Sequence, residues 1–536
     1  MPRFAAIDVG SNALRLRIIE TSAPRTLLAN TLANPQLLLL PGVGSHDAEW
    51  TEIASMRASV RLGSDVFVSG KLSPNSIGQA CAALREFRSA IDNAKVDAYR
   101  AIATSAAREA KNGATLVERA RREASIDLEM IEGVEEARLI QLAVRRKLPL
   151  SGLCALLVDV GGGSTELTLL DHGEHQMSTS LPIGTVRLID TYLRDSKQID
   201  PTRTRLLDEA IDRALASVLG ELKGKHIDII VGTGGNVETL AELSPRKEPT
   251  PGHERVIDVA TMHTLRKRMS AMTAAERRDT FNLRPDRADT IVPASAIFEH
   301  LATALAHPSI IAPGVGLTAG ILEELVDKFF HVWDTVGEAE SVIAACLRLG
   351  RRYAFDEGHG RRVSKFAAQL FDDLKPVHAF GDRERLLLRA AGLIHDIGDF
   401  VRYDAHHKHS YYLIQHSDIM GLSRDERAIV ANLARYHRKG PPDSAHPNFR
   451  DLDKEARGKV RGLAAILRVA DAFDREHLGK VTSARAAVDR SKNRVLLFLR
   501  GEGDRELEEW TVLAKSELLR DVYDLKVEIA HDEVQE

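Results

Sequence analysis

The sequence predicts an α/β protein made of two related lobes, followed by an all-helical region rich in histidine and a small α+β tail. The first reason is a repeat. The segments AAIDVGSNALRLRI and LLVDVGGGSTELTL lie about 150 residues apart, and each runs strand, Asp-Val-Gly, polar turn, strand. Self-similarity at a fixed spacing is the signature of duplication, and two such lobes face each other across a cleft lined by glycine-rich turns. The second reason is that strands and helices alternate up to about Asp327 and the strands then stop, which places a parallel-type α/β part before a helical one.

In chain order, the apolar run Phe4–Val9 is a strand and Gly10, Ser11 and Asn12 are a turn. Leu14–Ile19 alternates apolar residues with Arg15 and Arg17, giving a strand with one polar face. A helix is predicted over Pro74–Asn93 after Ser73, then a strand at Ala98–Ala103, a helix at Gly113–Ala124, a strand at Leu128–Ile131 and a helix at Glu135–Arg146. The pattern restarts with Leu153–Val160 and Glu166–Leu170. Ile227–Val231 and Ile310–Ala312 each lead through a glycine loop into a helix, the arrangement that suits phosphate at a helix N-terminus. The tail has strand-like Val495–Leu499, a helix near Glu506–Leu519 and strand-like Leu525–Ile529. The division expected is 1–133, first lobe; 134–328, second lobe; 329–485, helical domain; 486–536, terminal segment.

A chain of 536 residues exceeds one hydrophobic core. With 73 basic against 77 acidic residues the net charge is −4, which excludes a general nucleic-acid coat but leaves room for a locally positive cleft. The three cysteines, Cys81, Cys154 and Cys346, form no CxxC pair. This fits a reducing, cytoplasmic setting and excludes a cysteine zinc site. Cys154, inside the apolar run Leu153–Val158, is expected to be a buried structural thiol. The segment MPRFAAIDVG lacks the apolar stretch of a signal peptide, and no run is long enough to span a membrane.

Asp8 and Asp159 end their strands just before glycine, where a carboxylate can hold Mg²⁺. Gly10, Ser11 and Asn12, then Gly161, Gly162, Gly163, Ser164 and Thr165, then Gly232, Thr233, Gly234 and Gly235 offer backbone N–H groups and hydroxyls to phosphate. One such turn would be read as a strand end. Two in matching contexts, with two further glycine loops, point to a phosphate cleft.

The series IDVGSNALRLRI, AIATSAAREA, IEGVEEARL, VDVGGGSTEL and VGTGGNVETLA, in this order and spacing, resembles the exopolyphosphatase / guanosine pentaphosphate phosphatase family over about residues 3–328. The resemblance implies duplicated actin-like (ribonuclease H-like) ATPase lobes. It also implies a phosphoanhydride hydrolase in which a glutamate of the GxEEAR element activates water. Glu136 matches that position, with Glu135 beside it; Arg108, ending ATSAAR, matches a phosphate-contacting arginine, and Arg15 is a similar candidate. A homodimer is also implied. One departure stands out: PGVGLTAGIL carries Thr318 and Ala319 where the family commonly has Arg-Glu.

The helical region resembles the HD phosphohydrolase pattern of His, His-Asp, and a later Asp on successive helices. The matching residues are His359, His395, Asp396 and Asp471, with His409 and His437 as secondary positions. By resemblance the first four hold a divalent metal, Mn²⁺, Fe²⁺, Zn²⁺ or Mg²⁺. His378, His406, His407, His416 and His446 are assigned no role. Arg348, Arg351, Arg352, Arg361, Arg362 and Lys365, near His359, are either a track for a polyanion or a solvated helix face. The leading function is removal of terminal phosphates from polyphosphate. Hydrolysis of guanosine pentaphosphate at the same site is the alternative, and a non-hydrolytic nucleotide or alarmone sensor is the alternative of another class.

Overall fold

The computed structural model describes residues 1–22, 50–150, 152–193, 199–244, 255–330, 335–501 and 503–530. Two compact units are present, Met1–Asp334 and Thr335–Glu536. The first unit holds both lobes, and the second holds the helical region with the terminal segment.

In the first lobe, β1 (Arg3–Val9), β2 (Leu14–Thr21), β3 (Trp50–Ala58), α1 (Leu62–Ser69), α2 (Pro74–Ala94), β4 (Ala98–Ala103), α3 (Ser105–Glu109), α4 (Gly113–Ala124) and β5 (Leu128–Met130) follow in order. The strands form one sheet, β3-β2-β1-β4-β5. Next comes α5 (Gly133–Lys147).

The second lobe has β6 (Cys154–Val160), β7 (Thr165–Asp171), β8 (Glu174–Leu181), α6 (Thr185–Leu188), α7 (Pro201–Leu222), β9 (Ile229–Thr233) and α8 (Gly235–Leu243). It continues with β10 (Val256–Asp258), α9 (Val259–Ser270), α10 (Ala274–Phe281), α11 (Pro285–Ala304), β11 (Ser309–Ile311) and α12 (Leu317–Phe330). Its sheet is ordered β10-β11-β9-β6-β7-β8. Apart from β10, this repeats the first lobe strand for strand. In both, an antiparallel hairpin is followed by a parallel neighbour (β1 with β4, β6 with β9).

The duplication extends to the turns. Gly10 N–H donates to Ala13 O at 3.1 Å, and Gly161 N–H to Ser164 O at 3.0 Å. Each lobe has its own apolar core. A third core lies between the sheets, where Leu139, Ile140 and Val144 of α5 and Ile321, Leu322 and Val326 of α12 meet Phe4 and Ile102 on one side and Leu157 and Val231 on the other. These two helices cross closely: a Cβ on Gly320 would stand 1.9 Å from the Leu139 carbonyl oxygen. The interlobe layer sets where α5, and with it Glu136, presents its first turn.

The second unit is helical, with α13 (Thr335–Arg352), α14 (Glu357–Asp373), α15 (Asp382–Ile394), a 3₁₀ turn at Ile397–Phe400, α16 (His406–Gln415), α17 (Arg424–Tyr436), α18 (Pro447–Arg450) and α19 (Lys454–Ala472). It closes with β12 (Val481–Asp489), β13 (Arg494–Gly501), α20 (Glu506–Lys515), α21 (Glu517–Tyr523) and β14 (Lys526–Ala530), the strands forming a sheet β12-β13-β14. The single helix expected at Glu506–Leu519 is therefore two, broken at Ser516. Cys154 is half-exposed rather than buried, because it opens β6; Cys81 and Cys346 are buried. No described helix is long and apolar enough to cross a membrane.

Candidate functional site

The two glycine turns meet. A Cβ on Gly162 would lie 2.9 Å from Cβ of Ser11, and the Ser11 and Ser105 hydroxyls are 2.8 Å apart. The cavity beside them is lined by Asp8, the turns Gly10–Asn12 and Gly161–Gly162, Ser164, Arg15, Glu136, Asp159, the segment Gly234–Asn236, and Arg287. Of the phosphate-binding and carboxylate residues expected from sequence, most converge on this one hollow.

One wall is acidic. Oxygen atoms of Glu136, Asp159 and Glu166 lie within 4.8 Å of one another, and the three residues are only 6%, 8% and 2% exposed. Burial raises all three, and repulsion among the acids adds to it for Glu166 and Glu136: Glu166 is pushed up to about 7, Glu136 well above the usual carboxylate range, and Asp159 upward by burial against its Thr233 hydrogen bond, so a cation among them would favour the ionised forms. Burial also lifts Asp8 to about 6, although Arg15, 3.8 Å away, pulls the other way. Oε2 of Glu136 and Oε2 of Glu166 are buried with no hydrogen-bond partner among the described residues. Orphaned carboxylate oxygens in a cluster of acids are the donor set of a hard divalent cation, so the residues fit Mg²⁺.

The same hollow carries cationic groups. Arg287 is 4% exposed, its Nε has no hydrogen-bond partner among the described residues, and burial with repulsion from Arg15 and Arg284 lowers it to about 9. It lies against Gly235 at the N-terminus of α8, where a Cβ would come within 2.3 Å of its Nη2. A buried arginine beside free N–H groups of a helix start is suited to phosphate.

Several of the expected residues are engaged with other protein groups or stand aside from the trio. Glu135 is not a cavity residue: Arg138 (2.7 Å) and Arg100 (3.1 Å) hold its carboxylate, and both arginines also hold Glu324. Arg108 donates to the Ile131 carbonyl at 2.6 Å, so it clamps the segment before α5; its charge still favours ionised Glu136 and Glu166. Thr165 donates to Ile183 O, and Thr233 donates to Asp159 Oδ1 at 2.6 Å, so these hydroxyls orient protein groups. Gly232 is a packing position, hemmed in by Val237, Ile310 and Phe298, and Gly163 is one too, beside Phe67 and Ser105. Asp8 lies outside the carboxylate trio. Sequence reasoning missed Glu166 and Arg287. The signal for Glu166 was an acid opening an otherwise apolar strand; Arg287 stands in no motif.

A second cluster forms in the helical unit. Nε2 of His359 and Nε2 of His395 are 3.2 Å apart and lie 3.5 and 3.4 Å from Asp471 Oδ1. Asp396 Oδ2 is 3.9 and 3.5 Å from the same nitrogens. Its other oxygen, Oδ1, is 3.2 Å from His406 Nε2 and 3.3 Å from His437 Nε2. The sequence-predicted four therefore come together, with His437 as their neighbour. His409 is not among them; His406, which was assigned no role, takes that place. The helix α16 begins at His406 after Ala405 in the left-handed region (φ 60°), and a Cβ on Gly398 would lie 2.2 Å from His406 O. That close approach brings position 406, rather than 409, to Asp396.

A profile of the Ppx/GppA phosphatase family matches residues 43–329, and one of Ppx/GppA phosphatase domain III matches residues 343–522. Among curated relatives, a guanosine-5'-triphosphate,3'-diphosphate pyrophosphatase of Vibrio campbellii is 24% identical over 440 residues, covering 82% of this chain and 81% of that one. The Aeromonas hydrophila protein of the same name is 25% identical over 478 residues, with 88% and 87% covered. Among solved structures, an exopolyphosphatase from Cytophaga hutchinsonii shares the fold with a TM-score of 0.52 at 24% identity, over 61% of this chain and 98% of that one. The two lobes are the duplicated actin-like α/β architecture. With its family profile spanning more than half of the chain and a cleft of matching design, this protein belongs to the Ppx/GppA phosphatase family and is a phosphoanhydride hydrolase.

Proposed function

We propose that the cleft of the first unit removes the terminal phosphate of inorganic polyphosphate and releases orthophosphate. The observation that carries the reading is the pairing of a cationic wall, Arg15 with Arg287 and the start of α8, with the buried carboxylates Glu136, Asp159 and Glu166. The polyanion lies on the cationic wall and on the N–H groups of Gly10–Asn12 and Gly161–Gly162. Its terminal phosphorus then faces Glu136. The Oε2 of Glu136, without a hydrogen-bond partner among the described residues, orients a water and, in its ionised form, accepts its proton. The water oxygen bonds to the terminal phosphorus as the bridging P–O bond breaks, and that oxygen leaves with the shortened chain. Glu166 and Asp159, with Asp8 across the hollow, would hold Mg²⁺, which neutralises charge on the transferred group.

Guanosine pentaphosphate at the same site is the second reading, favoured by the names of the Vibrio and Aeromonas relatives. A homodimer in the cytoplasm belongs to the same proposal, checked by light scattering and cell fractionation. The deciding experiment offers long polyphosphate, tripolyphosphate and guanosine pentaphosphate in parallel, with Mg²⁺ or Mn²⁺, and measures released phosphate. We expect the highest kcat/KM on long polyphosphate and a fall of about 10²–10⁴ in kcat for Glu136→Gln. Full activity in that variant, or preference for the nucleotide, overturns the first reading.

A further inference from the structure

We propose that three arginine–carboxylate pairs between the lobes latch the cleft around its hollow and select substrates by width. Latched, the site takes an unbranched phosphate chain; released, it also takes a phosphate chain that ends in a nucleoside. The proposal rests on the reading of the cleft as a phosphate-chain site.

Each pair joins one lobe to the other. Arg57 of β3 donates through Nη2 to Asp286 Oδ2 at 2.6 Å, and Arg61, just before α1, donates to Asp289 Oδ2 at 2.5 Å. Both acids stand near the start of α11. Arg187 of α6 reaches the other way. Its Nη2 donates to both oxygens of Glu109 in α3, at 2.6 and 2.7 Å, and its Nε donates to Gly163 O at 2.8 Å. The same guanidinium lies 4.0 Å from the centre of the Phe67 ring in α1. Where α1 meets α6, a Cβ on Gly63 would come within 3.1 Å of Val186 Cγ1.

The pairs adjoin the residues that line the hollow. Asp286 precedes Arg287, and Arg57 is the cross-strand partner of Arg15. Gly163 follows Gly162, and Glu109 ends the short helix that Ser105 begins. The hollow so bracketed measures about 80 Å³. That holds phosphoryl groups with a few waters and leaves no space for a nucleoside. An unbranched phosphate chain keeps one width along its length. Guanosine pentaphosphate widens at its ribose, close behind the terminal phosphates, and a second phosphate branch leaves there. It therefore needs a wider mouth.

The two kinds of interlobe contact differ in how they yield. The layer of α5 and α12 is apolar and packed backbone to backbone at Gly320 and Leu139, so it does not depend on charge. The rim is held by ion pairs, of which Arg61 and Asp289 are each about one-third exposed. Such pairs are individually weak and screened by salt. The rim can part while the layer holds. Arg57–Asp286 is the more enclosed pair: burial opposes ionisation of Asp286, but Arg57 outweighs burial and keeps it below the usual carboxylate range.

The test removes charge from the acids and keeps every arginine, with Glu109→Gln, Asp286→Asn and Asp289→Asn combined in the full chain. Hydrogen exchange read by mass spectrometry is expected to quicken at least about threefold over the turns 10–13 and 161–164, with exchange in α7 unchanged as the check on folding. The ratio of kcat/KM on guanosine pentaphosphate to that on long polyphosphate, at fixed Mg²⁺, is expected to rise at least about tenfold over the wild type. Asp289→Asn alone, at an exposed pair that does not threaten the fold, moves both readouts the same way by less. Exchanging the ends of that pair, Arg61→Asp with Asp289→Arg, returns them towards the wild type. Exchange in the triple variant equal to the wild type overturns the latch. Faster exchange with an unchanged ratio overturns its role in selection. Both arms read changes against the wild type, so a wild type that prefers the nucleotide overturns the polyphosphate reading and not the latch.

Discussion

Arg15 and Glu166 occupy the same register position in the two halves of the duplicated hairpin: Arg15 pairs with Asp8 across β1 and β2, and Glu166 pairs with Asp159 across β6 and β7. One exchange of sign between otherwise matching turns gives one hairpin of the cleft a guanidinium where the other carries a carboxylate. The charge swap predicts a split in kinetics. Arg15→Ala is expected to raise KM about tenfold with kcat retained, because it removes binding common to ground and transition states. Glu166→Gln is expected to lower kcat and weaken Mg²⁺. Steady-state rates over a Mg²⁺ titration check both.

Arg287 costs stability while it waits for an anion. Since its buried Nε has no hydrogen-bond partner among the described residues, Arg287→Met is expected to raise the melting temperature of the free protein by a few degrees while raising KM for a polyanion at least about tenfold. Calorimetry with and without a non-hydrolysable phosphate chain reads both effects, and the wild type gains more from that ligand.

The carboxylates make stability depend on pH with a definite sign. The folded state keeps protons on Asp8 up to about 6 and on Glu166 up to about 7, where the unfolded chain has already released them. Without divalent metal, these groups therefore lower stability as pH rises from about 4 to about 7, and Mg²⁺ reverses the trend. Glu324 acts at the other end. Burial opposes its ionisation, but Arg138 and Arg100 outweigh burial and hold it at about 2. Its contribution is complete above pH 4.5 and is lost as pH falls towards 2. Melting curves over pH should flatten on the alkaline limb in Glu166→Gln and on the acid limb in Glu324→Gln.

Gly320→Ala tests the interlobe layer. The new methyl meets backbone, the Leu139 carbonyl, at 1.9 Å, so α5 and α12 must separate. A loss of about 3 kcal/mol or more is expected in denaturant unfolding, with reduced activity because Glu136 rides on α5.

The duplicated turns were legible in the sequence because Asp before glycine at a strand end is local chemistry, and both copies carry it. What lay beyond reach depends on phase between distant segments. Glu166 gains meaning only once β7 is registered on β6. Arg287 arrives from α11, about 50 residues beyond the loop it faces, and nothing in RPDRADT marks it. In HHKH the residue types were right and the helix phase decided among them; that phase was set by Gly398 against α16. Glu135 was drawn into the site by adjacency to Glu136, but on a helix neighbouring residues face about 100° apart, and Glu135 turned to Arg138 and Arg100.

The contact of Gly162 with Ser11 has a bearing on how such a chain can change over generations. Since a methyl group at 162 would stand 2.9 Å from the serine's own Cβ, and 3.3 Å from the Asn12 nitrogen, the two inherited turns no longer drift apart as independent copies. Any enlargement of one must be accommodated by retreat of the other, so variation is channelled into charge, as at positions 15 and 166, and away from size.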